Sequence, residues 1–162
     1  MSKYVLETNY DYEFSILAIS SSEPDYKLCI HLNRALGIGL SRREPLDVKA
    51  KNTRLPLVFS CFIHEEEDNE DQLILLGNRS MNAMTAHAED MKPTLFEEDP
   101  GNDVKGFLIP ELPKADYLLL IKSEEHLKRA EEIHAELKKI NFVRMVQAIN
   151  PLTLASKKNL II

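Results

Sequence analysis

The residues best equipped for chemistry are two carboxylates and a phenol, Glu111, Asp116 and Tyr117. They stand in the string Ile109-Pro110-Glu111-Leu112-Pro113-Lys114-Ala115-Asp116-Tyr117. Two carboxylates brought together could share a proton, hold a divalent cation or activate water. The same residues have plainer uses. Glu111 can accept backbone hydrogen bonds at a turn, Asp116 can pair with a Lys or Arg, and Tyr117 can bury its ring and bond through its hydroxyl. The plainer uses are favoured, and the three residues are site candidates only if they converge on a pocket.

Other reactive groups are scattered. None of the five histidines, His31, His64, His87, His126 and His134, falls in an H-E-x-x-H motif, and no Cys/His cluster has zinc-ligand spacing. No metal and no other cofactor is therefore expected. His64 precedes Glu65, Glu66, Glu67 and Asp68, which read as a solvated acidic turn before a cation site. Cys29 lies on the apolar side of a predicted helix and Cys61 inside the apolar run 57–63. Both read as small buried hydrophobes, and a disulfide between them stays open. A Cys61–His31 nucleophile pair would need an exposed, activated thiolate. Gly37-Ile38-Gly39 lacks the third glycine of a dinucleotide fingerprint and follows a helix, so it reads as a stop. Neither a Walker-type phosphate loop nor a G-x-S-x-G elbow is present.

Composition narrows the class. The chain has 162 residues, 44% apolar and 28% charged, with a net charge of −6. This suits one domain over 1–162 with a sizeable core. A negative chain is repelled by phosphate backbones and anionic lipid, so nucleic acid is an unlikely partner. Arg42, Arg43, Lys49, Lys51 and Arg54 read as a solvated loop. The first residues show no signal peptide, and no apolar run approaches the roughly 20 residues that span a bilayer, so a cytoplasmic, membrane-free protein is expected. The sequence names no small-molecule ligand.

The elements that must position the candidates follow from periodicity. Residues 14–20 read as a buried strand. Ser22 caps a helix with Pro24 and Asp25 in its first turn, an apolar stripe of Leu28, Cys29, Leu32, Ala35 and Leu36, and Gly37 as its end. A short edge strand is expected within 40–54. Residues 56–65 form a strand with Leu57, Phe59, Cys61 and Ile63 facing inward, and 72–78 return as its hairpin partner. Residues 80–105 are an irregular acidic insertion with a weak helix over 80–91. Ile109-Pro110 marks a strand end or edge, and 115–121 form a central strand. Ser123 with Glu124 and Glu125 opens a second helix, its apolar face Leu127, Ala130, Ile133, Leu137 and Ile140, with Glu124–Lys128 and Glu125–Arg129 pairs. Val143 to Ile149 alternates as a strand, with Val143, Met145 and Gln147 on one face. The tail makes a short turn near 150–156, and its apolar end docks. The class is α+β: an antiparallel or mixed sheet with two main helices on one face, most simply a ferredoxin-like split β-α-β core with extra strands.

The string 109–117 resembles the signature of the IPExxxVDY family of bacterial proteins. Ile109, Pro110, Glu111, Asp116 and Tyr117 match, and Ala115 stands where the motif has valine. The likeness extends to the layout of the N-terminal strand and helix and to a tail like Asn150-Pro151 through Ser156-Lys157 and Asn159-Leu160-Ile161. Residues 80–105 match least. The resemblance implies no activity. The leading expectation is a noncatalytic, self-associating interaction or regulatory domain, as a homodimer, because no convergent catalytic set is visible and apolar strands and tail want a partner surface. The alternative is a small enzyme or ligand-binding protein using Glu111 and Asp116, with or without a divalent cation.

Overall fold

The computed structural model describes residues 12–49, 56–68, 70–81 and 106–162. Among them run β1 (Ser15–Ser21), α1 (Asp25–Leu36), β2 (Ser41–Arg42), β3 (Leu46–Val48), β4 (Leu57–Phe59), β5 (Cys61–Glu65), β6 (Gln72–Gly77), β7 (Tyr117–Lys122), α2 (His126–Lys138) and β8 (Val143–Ile149). Two single turns, Pro151–Thr153 and Lys157–Leu160, follow. Six strands form a sheet in the order β2-β5-β6-β7-β1-β8, every pairing antiparallel, and β3 pairs with β4 apart from it. The class is α+β, and the sheet is antiparallel, not mixed.

The central strands are apolar at successive residues because both faces of the sheet are covered. Leu17, Ile19, Leu73, Leu75, Leu119 and Ile121 pack beneath α1 and α2, whose buried residues are Leu28, Cys29, Leu32, Ala130, Ile133 and Leu137. Ile16, Ala18, Ile74, Leu76, Leu118 and Leu120 face the other way, beneath Phe59, Leu108, Ile109, Ala115, Leu154 and Leu160. Both helices therefore share one face. The loop before β7 and the C-terminal tail cover the other. Burying a leucine or isoleucine contributes about 1.5–3 kcal/mol, so the second cover is energetically comparable to the helices.

Several local expectations change. The strand over 56–65 breaks at Ser60: β4 joins β3, and β5 joins the main sheet. Ser60 O accepts from Gly77 N–H at 3.0 Å, and a Cβ on Gly77 would lie 2.7 Å from Ser60 Oγ. Because both faces are covered, Phe62 is buried toward the helices while Phe59 and Cys61 are buried on the opposite side. Ser22 does not cap α1. The helix begins after Pro24 without a side-chain cap, and Ser22 Oγ reaches Phe142 O at 3.4 Å. Gly37, at φ 63°, does end it, while Ala35 is exposed. Glu124 and Glu125 precede α2 instead of occupying its first turn, and Leu127 is 71% exposed, off the apolar face. A register shift between Ser20 and Ser21 offsets β8, so Val143 and Val146, not Met145 and Gln147, pack against the helical layer. Leu154 and Leu160 are buried, but Ile161 and Ile162 are exposed. Of the acidic insertion, 82–105 lie outside the described residues, as does most of the expected helix over 80–91. No helix among the described residues is long and apolar enough to cross a membrane.

The expected Glu125–Arg129 pair gives way to a longer link. Arg129 instead donates to Glu66 at 2.8 Å and to Asp71 at 3.5 Å, tying α2 to the β5–β6 turn, while Glu125 meets Lys128 at 4.0 Å. The Arg129 hydrogen bond, then its charge, holds the Glu66 carboxyl below its ordinary value of 4.5. A depressed carboxylate stabilises the fold above its unfolded pKa and loses that contribution as pH falls through the folded one. Arg129→Met is therefore expected to cost up to about 1 kcal/mol at neutral pH, since solvent screens the pair. In urea melts the gap between the two proteins should shrink as pH drops below 4.5.

Candidate functional site

The string 109–117 is two successive turns laid over the sheet. Leu112 N–H donates to Ile109 O at 3.0 Å, and Ala115 N–H to Leu112 O at 3.1 Å. Ile109-Pro110 is thus part of a turn and not a strand end. The turns are held by Asn78, which follows β6 and is 0% exposed. Its amide nitrogen donates to Leu112 O and Ala115 O, each at 2.9 Å, and its amide oxygen accepts from Ile109 N–H at 2.9 Å. Its backbone bonds Asp116 O and Leu108 N–H, each at 2.9 Å. Sequence reasoning missed this residue, reading Asn78 as the last position of a strand. The available signal was an amide side chain directly after an apolar run and a glycine, where a ladder ends and a loop needs donors.

The sequence-predicted site residues have separate partners. Glu111 accepts from Ser156 Oγ at 2.6 Å and from Ser156 N–H at 3.1 Å, so it fastens the turns to the C-terminal tail. Asp116 accepts from Ser21 N–H at 2.9 Å, from Ser20 Oγ at 3.3 Å and from Arg79 Nε at 3.0 Å. Tyr117 donates to Glu23 O at 3.0 Å. Burial, followed by the charges of Asp25 and Asp116, pushes that phenol up to about 12. The two carboxylates share no bonding partner and act on different segments: Glu111 on the tail, Asp116 on the end of β1. What this geometry does chemically is clamp a loop.

The remaining candidates are also occupied or inert. Among the described residues, no group of three or more His, Cys, Asp or Glu could hold a metal ion. His64 Nδ1 accepts from Gly39 N–H at 3.1 Å, and its Nε2 lies 3.9 Å from Glu66. Cys29 and Cys61 are free thiols under opposite faces of the sheet. His31 meets Phe142 edge-on at 5.0 Å between ring centres, on the helical side, so no Cys61–His31 pair forms. Burial pushes Cys29 up to about 12 and raises Cys61 as well. A thiol held protonated is a poor nucleophile. Neither cysteine is expected to react with Ellman's reagent in the native protein, whereas both should react in denaturant. A rapid native burst would contradict this.

Two features were not legible in the sequence. A groove of about 660 Å³ lies between α2 and the adjoining ends of β1 and β8. Its walls include Phe14, Ala130 and Ile149, and Ser15 Oγ and His126 Nδ1 bond within it at 2.8 Å. Beside it, β8 is the sheet's last strand and pairs only with β1 among the described residues. Asp116 N–H donates to Ile19 O at 2.8 Å, so the Ile19 peptide points toward β7. Alternate residues of an antiparallel strand bond opposite neighbours. Ile16, Ala18 and Ser20 therefore bond Ile149, Gln147 and Met145, and the peptides of Val146 and Ala148 point outward. His134 Nε2 lies 3.3 Å from Val146 O, placing α2 along this edge. Comparison with protein-family models, curated proteins and solved structures finds no match for the chain.

Proposed function

We propose that the chain is a noncatalytic interaction domain that self-associates as a homodimer through the outer edge of β8. The observation that carries this is a seven-residue strand that ends the sheet among the described residues, with the peptides of Val146 and Ala148 pointing outward. Such an edge templates another strand unless proline, charge, a bulge or a covering element blocks it, and the irregularity of β8 is confined to its start at Arg144. Within β8 there is no proline, and Arg144 is the lone charge. The other edge, β2, has two residues. The apolar tail, which the sequence suggested would seek a partner, instead covers its own sheet through Leu154 and Leu160. The exposed Leu127 on α2 is the better sign of a missing neighbour.

The alternative, catalysis or ligand binding by Glu111 and Asp116, needs carboxylates free to meet a ligand. Their bonds to Ser156, Ser21 and Arg79 speak against it. Kinship with the IPExxxVDY proteins remains a proposal resting on residues 109–117 and the tail; on it, the motif's polar residues are fold-holding groups. Free thiols suit a reducing cytoplasm, and the net charge of −6 argues against nucleic acid.

Sedimentation equilibrium at micromolar concentrations is expected to give twice the 18.5 kDa chain mass. Ala148→Pro removes an outward N–H without touching the β1–β8 ladder, so it should yield a folded monomer with unchanged circular dichroism. A wild-type mass of one chain at every concentration would end the proposal.

A further inference from the structure

We infer that the second copy pairs with β8 about a two-fold axis through Val146, and that the same axis sets Glu131 of one copy against Lys138 of the other. This rests on the self-association proposed above and specifies its geometry.

A two-fold between identical edge strands is necessarily antiparallel, and the residue numbers of each opposed pair have a constant sum. With Val146 on the axis, Met145 stands opposite Gln147, clear of Arg144, where the β1–β8 register shifts. Moving the axis by one residue in either direction would set peptides that already bond β1 against each other. Moving it to Arg144 sets two guanidinium groups face to face, which is unfavourable. On the axis at Val146, the outward peptides of the two Val146 residues meet each other, the carbonyl oxygen accepting there beside its 3.3 Å contact with His134 Nε2.

Helix α2 agrees independently. His134 touches Val146 O, so the axis passes beside His134. Leu127, Glu131, His134 and Lys138 follow at spacings of four, three and four, which places them along one side of the helix. Of these, Leu127, Glu131 and His134 line the groove beside the end of β8. Rotation about the axis brings the two α2 helices antiparallel on the same face of a continuous twelve-strand sheet, two copies of six. Glu131 lies three residues before His134 and Lys138 four after it, so opposite charges face each other twice. Leu127, seven residues before His134, then lies toward Phe142 of the second copy. Leu127, the most exposed leucine among the described residues, gains an aromatic cover, and each groove is closed by the other copy.

Single cysteines read the register. Equimolar Met145→Cys and Gln147→Cys proteins, mixed and allowed to exchange subunits, should form a disulfide-linked dimer on mild oxidation, because 145 and 147 are opposed. Each variant oxidised alone should stay uncrosslinked. Efficient crosslinking of Met145→Cys alone, or of Gln147→Cys alone, would shift the axis and overturn this register while leaving the edge dimer intact. A protein that is monomeric throughout would instead overturn the self-association beneath it. Glu131→Lys should raise the dimer dissociation constant roughly tenfold, and Glu131→Lys/Lys138→Glu should restore it. No change on charge reversal would remove the helix pairing.

Discussion

Asn78→Ala is expected to cost about 4 kcal/mol in urea unfolding, and Asn78→Asp to cost more at neutral pH. Asn78 is fully buried, and its amide satisfies one N–H and two carbonyls of the turns over the sheet. Alanine leaves Ile109 N–H and the Leu112 and Ala115 oxygens without their partner. Each unsatisfied buried group costs about 1–3 kcal/mol, and partial relaxation toward water reduces the sum. Aspartate keeps the shape but aims a carboxylate oxygen at two carbonyl oxygens. Its pKa should therefore rise in the folded state. A raised folded pKa gives stability that is full below the unfolded pKa and lost as pH climbs through the folded one. Asn78→Asp should thus gain on wild type as the solution is acidified from neutrality toward about pH 4. A domain has only about 5–15 kcal/mol in total, so Asn78→Asp is the variant closest to unfolded at pH 7. Wild-type-like stability would mean that the turns are not anchored this way.

Asp116→Ala should cost about 2 kcal/mol, and Asp116→Asn less than half of that. Alanine strips Ser21 N–H, Ser20 Oγ and Arg79 of an acceptor together. Asparagine keeps an acceptor oxygen for the β1 end and loses mainly the charge facing Arg79. That guanidinium is 57% exposed and also rests 5.6 Å from the centre of the Phe107 ring, so water and the ring compensate. Glu111→Ala, which releases Ser156 at the surface, should cost under about 1 kcal/mol. The order Asn78, Asp116, Glu111 in thermal or chemical unfolding reads the clamp directly. A destabilisation by Glu111→Ala equal to that by Asn78→Ala would refute it.

The elements were legible where residue pattern and environment coincide. Leu28, Cys29 and Leu32 mark α1, and Gly37 ends it in a left-handed conformation that its residue type favours. The run 117–121 is apolar throughout because it is central and doubly covered. That double cover defeated the reading of residues 56–65, where alternation implied a wet face that does not exist. Leu127 has helical spacing with Ala130 and Ile133 yet points outward, since one turn of helix cannot reveal where the sheet ends. Bonds from Asp116 and Tyr117 to backbone on β1 and beside α1 were foreseeable as types but not as partners, because the pairing is long-range. Asn78 carries no periodic signature at all; its importance is a count of donors and acceptors that only the folded chain discloses.

One property of the sheet bears on how the molecule is made. β1, the earliest strand described, is hydrogen-bonded on one side to β7 and on the other to β8, with Ser15 against Ile121 and Ile16 against Ile149. During synthesis its apolar residues leave the ribosome about a hundred positions or more ahead of their partners on either neighbour. No chain lacking β7 and β8 can close this sheet, so the emerging polypeptide holds a sticky segment exposed until both strands have been made. High contact order of this kind slows folding and leaves aggregation as a competitor. Nascent chains halted before position 117 should therefore associate with chaperones, and those extended past 149 should let go.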